Sequence, residues 1–337
     1  MKKCSVYLVI FLIINFGNSL ASSLDITYRG NGISFGNSKR INGIRFNLVD
    51  SEVERINGFN FTFWKPKDNP DAKVNGFALG LVGPEANQLN GVAIGGVGVT
   101  GEKIRGFSFG TVGLAAEDID GIAIGGVGLA TGSIDGIAFG MVGLAAGRIN
   151  GIAIGGVGLA TESLNGFAFG GVGVAAEAIN GIAIGGVGLA SQTINGITIG
   201  GVGIGAEEIT GITIGGIGVG ASEITGFTIG GIGVGAKDIT GITIGGIGVG
   251  AQEITGFTVG GLKVRSQNLT GLAVGGYCKF KRNLTGVSFG IFNYAWRLNG
   301  VQIGLLNYCG NNPKPFRLLP IINVHIGEDH HKDRHND

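Results

Sequence analysis

The sequence predicts an all-β fold, a parallel β-solenoid with 15-residue, three-sided coils. The unit Ile149–Ser163 recurs as Leu164–Ala178 and Ile179–Thr193 without gain or loss of a residue. Glycine supplies 70 of the 337 residues, without the every-third spacing of collagen. The apolar residues of one unit cannot share one face of a straight strand, because strand side chains alternate between faces. Stacked coils in parallel register explain all three observations.

Each coil begins at an anchor, an Ile, Leu or Val that is usually followed by Asn, Thr or Asp and then by Gly. Every step from Leu89 to Leu284 is 15 residues, whereas the step from Ile56 to Val74 is 18 and holds an extra loop at 64–70. The anchors are residues 41, 56, 74, 89, 104, 119, 134, 149, 164, 179, 194, 209, 224, 239, 254, 269, 284 and 298.

Five large apolar residues per coil are expected to lie inside, with a glycine pair turning the chain between two strand segments. Two sides of the coil are then short and apolar, and the third is polar and charged. In the coil that begins at Ile149 the expected interior residues are Ile149, Ile152, Ile154, Val157 and Leu159.

The alternative fold is an antiparallel outer-membrane β-barrel, which the recurrent Asn-Gly pairs suggest because they favour hairpin turns. Two observations count against it. Antiparallel strands repeat in pairs, whereas one 15-residue unit recurs here. A barrel lumen also requires polar side chains, which neither strand face supplies.

Residues 1–21 are typical of a secretion signal peptide. Lys2 and Lys3 precede the apolar run Val6–Phe16, and Ser19–Ala21 provides a small-x-small cleavage site. Loss of the two lysines changes the formal charge from +1 to −1, which gives no bulk bias towards nucleic acid. The remaining predicted segments are an irregular N-terminal cap at 22–40, the repeat solenoid at 41–310, a C-terminal capping segment at 311–327 with an apolar strand at 316–326, and a disordered tail at 328–337.

The last coils have a sequence motif that differs from that of the central coils. Gly286–Ala295 reads GVSFGIFNYA, Gly300–Cys309 reads GVQIGLLNYC, and Leu318–Asn323 reads LLPIIN. These segments resemble a bacterial family of exported surface-repeat proteins with G-x-Q-I-G-L-x-N-Y repeats and a terminal Leu-Pro-x-Ile-Asn strand. The resemblance covers Leu284–Ile326, and the central coils share only its period. It implies an exported, envelope-associated protein and brings no catalytic residues.

Four acidic residues occupy the position before the anchor in successive coils, namely Glu208, Glu223, Asp238 and Glu253. Stacking would align them as a ladder of carboxylates, and carboxylate oxygens suit Ca²⁺. We expect calcium to raise the melting temperature if the ladder binds metal; a solvated turn would give no shift.

Two columns of threonine are expected to point outward, one at 198, 213, 228, 243 and 258 and the other at 210, 225, 240, 255 and 270. A flat threonine array resembles ice-binding surfaces, although threonine is also a common outward strand residue.

Basic residues crowd the C-terminal coils beside aromatic ones, and they suggest peripheral contact with anionic envelope lipid or polysaccharide, or else a solvated end coil. These residues are Lys263, Arg265, Lys279, Lys281, Arg282 and Arg297. Cys278 and Cys309 lie two coils apart, ~9–10 Å by coil spacing, so no disulfide between them is expected.

No nucleophile, histidine and acid can be grouped into a catalytic set, because all four histidines lie in the last thirteen residues. The sequence therefore predicts a non-enzymatic protein without a required cofactor. Its expected role is an elongated structural, adhesive or recognition scaffold at the outer-membrane surface or outside the cell. The partner is a surface ligand, an envelope polysaccharide or a protein. The alternatives are an outer-membrane β-barrel with a pore or structural role, an ice-binding solenoid and a calcium-binding solenoid.

Overall fold

A computed structural model describes residues 23–67 and 69–327, so the predicted signal peptide and tail lie outside the described residues. The chain divides between Gly166 and Phe167 into two compact units, and the described residues of each, 23–166 and 167–327 without residue 68, form a parallel β-solenoid. None of the described segments is a helix long and apolar enough to span a membrane.

The first unit stacks its strands in parallel with matched repeats. Each residue of the coil at Ile149 pairs with the residue fifteen positions earlier, as in Ile149 with Ile134 and Gly151 with Gly136. The antiparallel alternative is therefore wrong. The strands are β1 (Ser23–Tyr28), β2 (Asn31–Gly36), β3 (Arg40–Asn47), β4 (Arg55–Thr62), β5 (Lys73–Gly80), β6 (Glu85–Gly95), β7 (Gly98–Gly110), β8 (Gly113–Gly125), β9 (Gly128–Gly140), β10 (Gly143–Gly155) and β11 (Gly158–Gly170), in which the unit ends.

The N-terminal segment 22–40 is not irregular, which corrects the sequence prediction. β1 pairs antiparallel with β2, and β2 already stacks in parallel on β3, with Asn31 opposite Asn42. The first coil is thus shorter than the others and does not show the 15-residue step. Its Asn-Gly pair at Asn31 and Gly32 is the sequence signal that marks it as a coil.

The second unit keeps the 15-residue register until its last coil. There the offset falls to 14, because a bulge shifts the pairing between Phe280 and Asn283. β24 then pairs antiparallel with β23 as the predicted terminal strand. The elements are β12 (Gly173–Gly185), β13 (Gly188–Ala190), β14 (Thr193–Gly200), β15 (Gly203–Gly205), β16 (Glu208–Gly215), β17 (Gly218–Gly220), β18 (Glu223–Gly230), β19 (Gly233–Gly235), β20 (Asp238–Gly245), β21 (Gly248–Gly250), β22 (Glu253–Phe289), β23 (Phe292–Cys309), a 3-10 turn (Lys314–Phe316) and β24 (Leu318–His325).

The third residue of each coil, counted from the anchor as the first, must be glycine. Gly151 has φ +134°, and a Cβ there would lie 2.1 Å from the carbonyl oxygen of Gly136 in the preceding coil. Any other residue would be strained and would separate the coils. This contact explains why Gly follows the anchor in every coil.

The interior is narrower than predicted, and the expected burial of five large residues is wrong. Ile149 and Leu159 are buried, but Ile152 and Val157 are 39% and 49% exposed. The fifth residue of the coil, Ala153, fills the interior instead. A Cβ on the seventh residue, a glycine, would meet a backbone carbonyl oxygen of its own coil at 2.1 Å. The two strand walls of the coil lie so near each other here that the interior has no volume for an isoleucine side chain at the fifth position.

Candidate functional site

The outward residues give each coil three different sides. In the coil of Ile149, the fourth and sixth residues, Ile152 and Ile154, form an outward apolar face. Val157 lies at the next corner, and a side of small residues such as Ala160 follows. The remaining side is polar and includes exposed Glu162. Because the coils stack in register, each outward position becomes a column.

The apolar face of the first unit contains isoleucine, phenylalanine, valine and leucine only. Phe59 and Phe77 stack with ring centroids 5.3 Å apart, and Phe35 stacks on Phe46 at 5.6 Å. These rings pack along the column rather than into the interior. The columns comprise Ile33, Ile44, Phe59, Phe77, Val92, Phe107, Ile122, Ile137 and Ile152 at the fourth position, and Phe35, Phe46, Phe61, Leu79, Ile94, Phe109, Ile124, Phe139 and Ile154 at the sixth.

The second unit has the same face, and its terminal strand extends it. Val324 and Ile322 of β24 lie opposite Val301 and Ile303, and both are exposed. We call the following set the second-unit apolar face: Ile182, Ile197, Ile212, Phe227, Ile242, Phe257, Leu272, Val287 and Val301, then Ile184, Ile199, Ile214, Ile229, Ile244, Val259, Val274, Phe289 and Ile303, with Ile322 and Val324.

This face is large for a surface open to solvent. Its most exposed members show 37–47% of their surface. With side chains of ~150–200 Å² each, and with the half-buried members included, the second-unit apolar face presents about 900 Å². The largest apolar patch of a typical monomer is ~300–600 Å², and larger patches mark interaction sites. The face is therefore the strongest candidate functional site.

The borders of the second-unit apolar face carry no charge. On one border the second residues of the coils are Asn180, Asn195, threonines 210, 225, 240, 255, 270 and 285, and Asn299. The Asn195 amide donates to the side-chain oxygen of Asn180 at 3.3 Å. On the other border the corner column runs from Val187 through Ile217 to Leu262, all exposed. Uncharged polar groups thus flank the face on one border, and apolar groups flank it on the other.

The four predicted metal ligands are aligned by the fold on the polar side. Glu208 pairs with Glu223, Glu223 with Asp238, and Asp238 with Glu253 in parallel register. The side-chain amide of Asn268 donates to Glu253 at 2.8 Å. Across residues 23–67 and 69–327, no three His, Cys, Asp or Glu side chains form a group that would hold a metal ion. Calcium binding by the ladder stays a prediction.

One of the two predicted threonine columns is wrong. Thr198, Thr213, Thr228, Thr243 and Thr258 occupy the fifth position and are at most 1% exposed. The column at 210, 225, 240, 255 and 270 does point outward. A single outward column bordered by isoleucine is not the flat two-column array from which ice binding was inferred.

Five of the six predicted basic residues lie on the small-residue side and its adjoining corner, whereas Arg297 pairs with Asn283 on the polar side. Lys263 pairs with Gly248 and Arg265 with Gly250, so the column changes from glycine to cations. The Lys279 ammonium lies 5.5 Å from the ring centroid of Tyr294. Within the described chain, no carboxylate forms an ion pair with Lys263, Arg265, Lys279, Lys281 or Arg282. The group therefore keeps its positive charge available to an anionic partner.

Both cysteines are buried in the second unit, and no disulfide joins Cys278 to Cys309. Burial raises the pKa of the Cys278 thiol to about 12. The two residues lie in different columns, because Asn293 stacks on Cys278 and its side-chain amide donates to Asn307, not to Cys309, in the next coil.

The sequence reasoning missed a buried polar cluster in the first unit. Arg45 takes the fifth position, is fully buried, and donates to Asp50 at 2.7 Å and to Asn60 at 2.9 Å. Burial lowers the pKa of Arg45, and the nearby Asp50 opposes this. The signal was an arginine at the fifth position, which holds asparagine in Asn60, glutamine in Gln302 and alanine, serine or threonine in the other coils. The cluster fills the interior of the early coils.

No protein-family model matches the chain, and neither a curated protein nor a solved structure does. The resemblance of Leu284–Ile326 to exported surface-repeat proteins therefore stays a prediction.

Proposed function

We propose that the chain is a non-enzymatic, exported repeat scaffold of the cell envelope or surface. The observation that supports it best is the uninterrupted apolar face, since a surface of this size requires a partner. The register between coils presents the same chemical group at a fixed interval, which suits adhesion or assembly. The signal-like segment at 1–21 supports export.

Export is tested with a reporter that is active only outside the cytoplasm. Residues 1–30 are fused to alkaline phosphatase, and a matched fusion lacks Val6–Phe16. We expect activity from the first fusion and none from the second, because the apolar run is required for translocation. An inactive first fusion would contradict the export proposal.

Surface display is tested separately with the full chain. Ser222 is exposed on the polar side, and Cys278 and Cys309 are buried. The third cysteine, Cys4, lies in the predicted signal peptide, which export would remove. A Ser222→Cys variant should react with a membrane-impermeant maleimide in intact cells, whereas the unsubstituted chain should not. Labelling that appears only after lysis would place the scaffold inside the cell and would contradict the proposal.

A second candidate role is peripheral contact with anionic lipid through Lys263, Arg265, Lys279, Lys281 and Arg282. The support is that four of them are exposed, with Lys279 half-buried, and that none forms an ion pair among the described residues. Replacement of all five by Gln should abolish binding to phosphatidylglycerol vesicles, and added salt should weaken the vesicle binding of the unsubstituted chain. The control replaces five first-unit cations by Gln, at 55, 73, 103, 105 and 148. Equal loss in both variants would show that only net charge matters.

A further inference from the structure

We propose that the second-unit apolar face is the contact surface of a homodimer, in which the same face of a second copy of this chain covers it. The inference does not depend on export, because it concerns the purified chain. It gives the scaffold a first defined partner. The alternative occupant, a lipid surface, is an outcome of the test below.

The composition of the face shows that it does not remain open to water. All twenty of its members are Ile, Val, Leu or Phe, from Ile182 to Val324, and no polar residue interrupts either column. Exposed apolar residues scattered singly are normal, but contiguous columns are not. An occupant of matching apolarity is therefore required.

The area of the face is sufficient for a stable dimer. A specific interface buries ~800 Å² on each partner. The second-unit apolar face offers about 900 Å² from side chains of ~150–200 Å², so it reaches this size without any contribution from the other sides of the coil. Homodimer interfaces are also more apolar than other interfaces, as this face is.

The geometry of the face is complementary to itself. Its columns repeat once per coil, ~4.8 Å apart as in any sheet, and a second copy has the same spacing. Glycine precedes and follows the apolar pair in the coil, as Gly196 and Gly200 do around Ile197 and Ile199. Gly200 is buried, so the room for a facing copy comes from the spacing of the columns, and side chains of two facing sheets interdigitate about 10 Å apart. A two-fold axis then closes the contact as a dimer.

The borders of the face favour a second copy over lipid. Surfaces that lie in a membrane carry Lys or Arg and Trp at their edges. The borders here are Asn, Thr, Val, Ile and Leu, and Lys263 and Arg265 lie on the small-residue side. In a dimer, uncharged borders meet each other without the repulsion between like charges that charged borders would cause.

The test compares two triple variants of the chain that starts at residue 22. One places charges on the face, Ile182→Glu, Ile212→Glu and Ile242→Glu, at positions that are 38–43% exposed. The matched control places the same charges on the polar side, Gln192→Glu, Ser222→Glu and Gln252→Glu, all exposed and also two coils apart. A lysine version of the face variant separates the effect of charge sign. Circular dichroism confirms that each variant is folded.

Sedimentation equilibrium measures the mass of each protein. We expect the unsubstituted chain and the control to be dimers. Both face variants should dissociate ~100-fold more readily, because a charge buried in an apolar contact loses its hydration. Three results would each overturn the proposal. They are a monomeric unsubstituted chain, a dimer that both face variants retain, and a chain that requires detergent and floats with phosphatidylcholine vesicles unless the face is charged.

Discussion

Replacement of Thr243 by valine should stabilise the second unit. Thr243 is 1% exposed at the fifth position of its coil, and its hydroxyl has no hydrogen-bond partner. A buried unsatisfied polar group costs ~1–3 kcal/mol. Valine has the same shape and no hydroxyl, so Thr243→Val should raise the free energy of unfolding by about 1 kcal/mol.

Two other threonines serve as controls in the same assay. Thr213 shares a hydrogen bond of 3.1 Å with Thr198, so Thr213→Val should lower stability by ~1 kcal/mol because it leaves the Thr198 hydroxyl unpaired. Thr240 is exposed in the coil of Thr243, and Thr240→Val should change stability by less than ~0.5 kcal/mol.

Urea unfolding followed by circular dichroism at equal protein concentration measures all three variants. The assignment of Thr243 to the interior would be refuted if Thr243→Val lowered stability while Thr240→Val raised it. Equal losses in Thr243→Val and Thr213→Val would instead show that the Thr243 hydroxyl is hydrogen-bonded.

Three further predictions test the glycine at the third position of the coil, the N-terminal strand and a buried thiol. Gly211→Ala should lower the free energy of unfolding by about 3 kcal/mol, because Gly211 has φ +126° and its Cβ would lie 2.1 Å from a carbonyl oxygen. As the control, a Cβ at Gly220 would meet nothing within 4 Å, so Gly220→Ala should change the free energy of unfolding in urea little. Burial opposes ionisation of Asp25, but hydrogen bonds from serine hydroxyls outweigh it and hold the pKa of Asp25 below its ordinary value. The stabilisation should therefore be complete above the ordinary pKa and be lost as pH falls through the lower folded pKa. Hydrogen-exchange protection in β1, taken relative to the intrinsic exchange rate at each pH, should fall over this range, and Asp25→Asn should remove that fall. Cys278, with a pKa of about 12, should resist alkylation near about pH 8 until the chain is unfolded in urea, as mass spectrometry would show.

The period of the chain could be predicted, because in a solenoid with one coil per repeat the repeat length of fifteen residues equals the sequence offset between paired strands. The ladder from Glu208 to Glu253 followed from the same offset and is in register. The shortened last coil also followed from the sequence, since the last two anchors, Leu284 and Leu298, lie 14 residues apart and the structure pairs them at that offset. The position of the bulge, between Phe280 and Asn283, has no signal in the anchor spacing.

The side on which Ile152, Ile154 and Val157 lie was predicted wrongly, and the candidate site was missed for that reason. Hydropathy places Ile152 inside and Ala153 outside, whereas the structure reverses them. Volume decides, because the interior next to Gly155 admits only a small side chain. Alternation from the buried anchor would have found this: Ile149 and Ala153 have the same parity along the strand, and Ile152 has the opposite one.

The matched register between coils has a genetic consequence. Each coil within a unit bonds to the coils immediately before and after it, so loss or duplication of a fifteen-residue block rejoins backbones that already fit. Unequal recombination within the gene would change the number of coils in whole steps, and the strands that close the ends would meet the same surface as before. Descendants of one ancestral chain would then differ in length while they share one core.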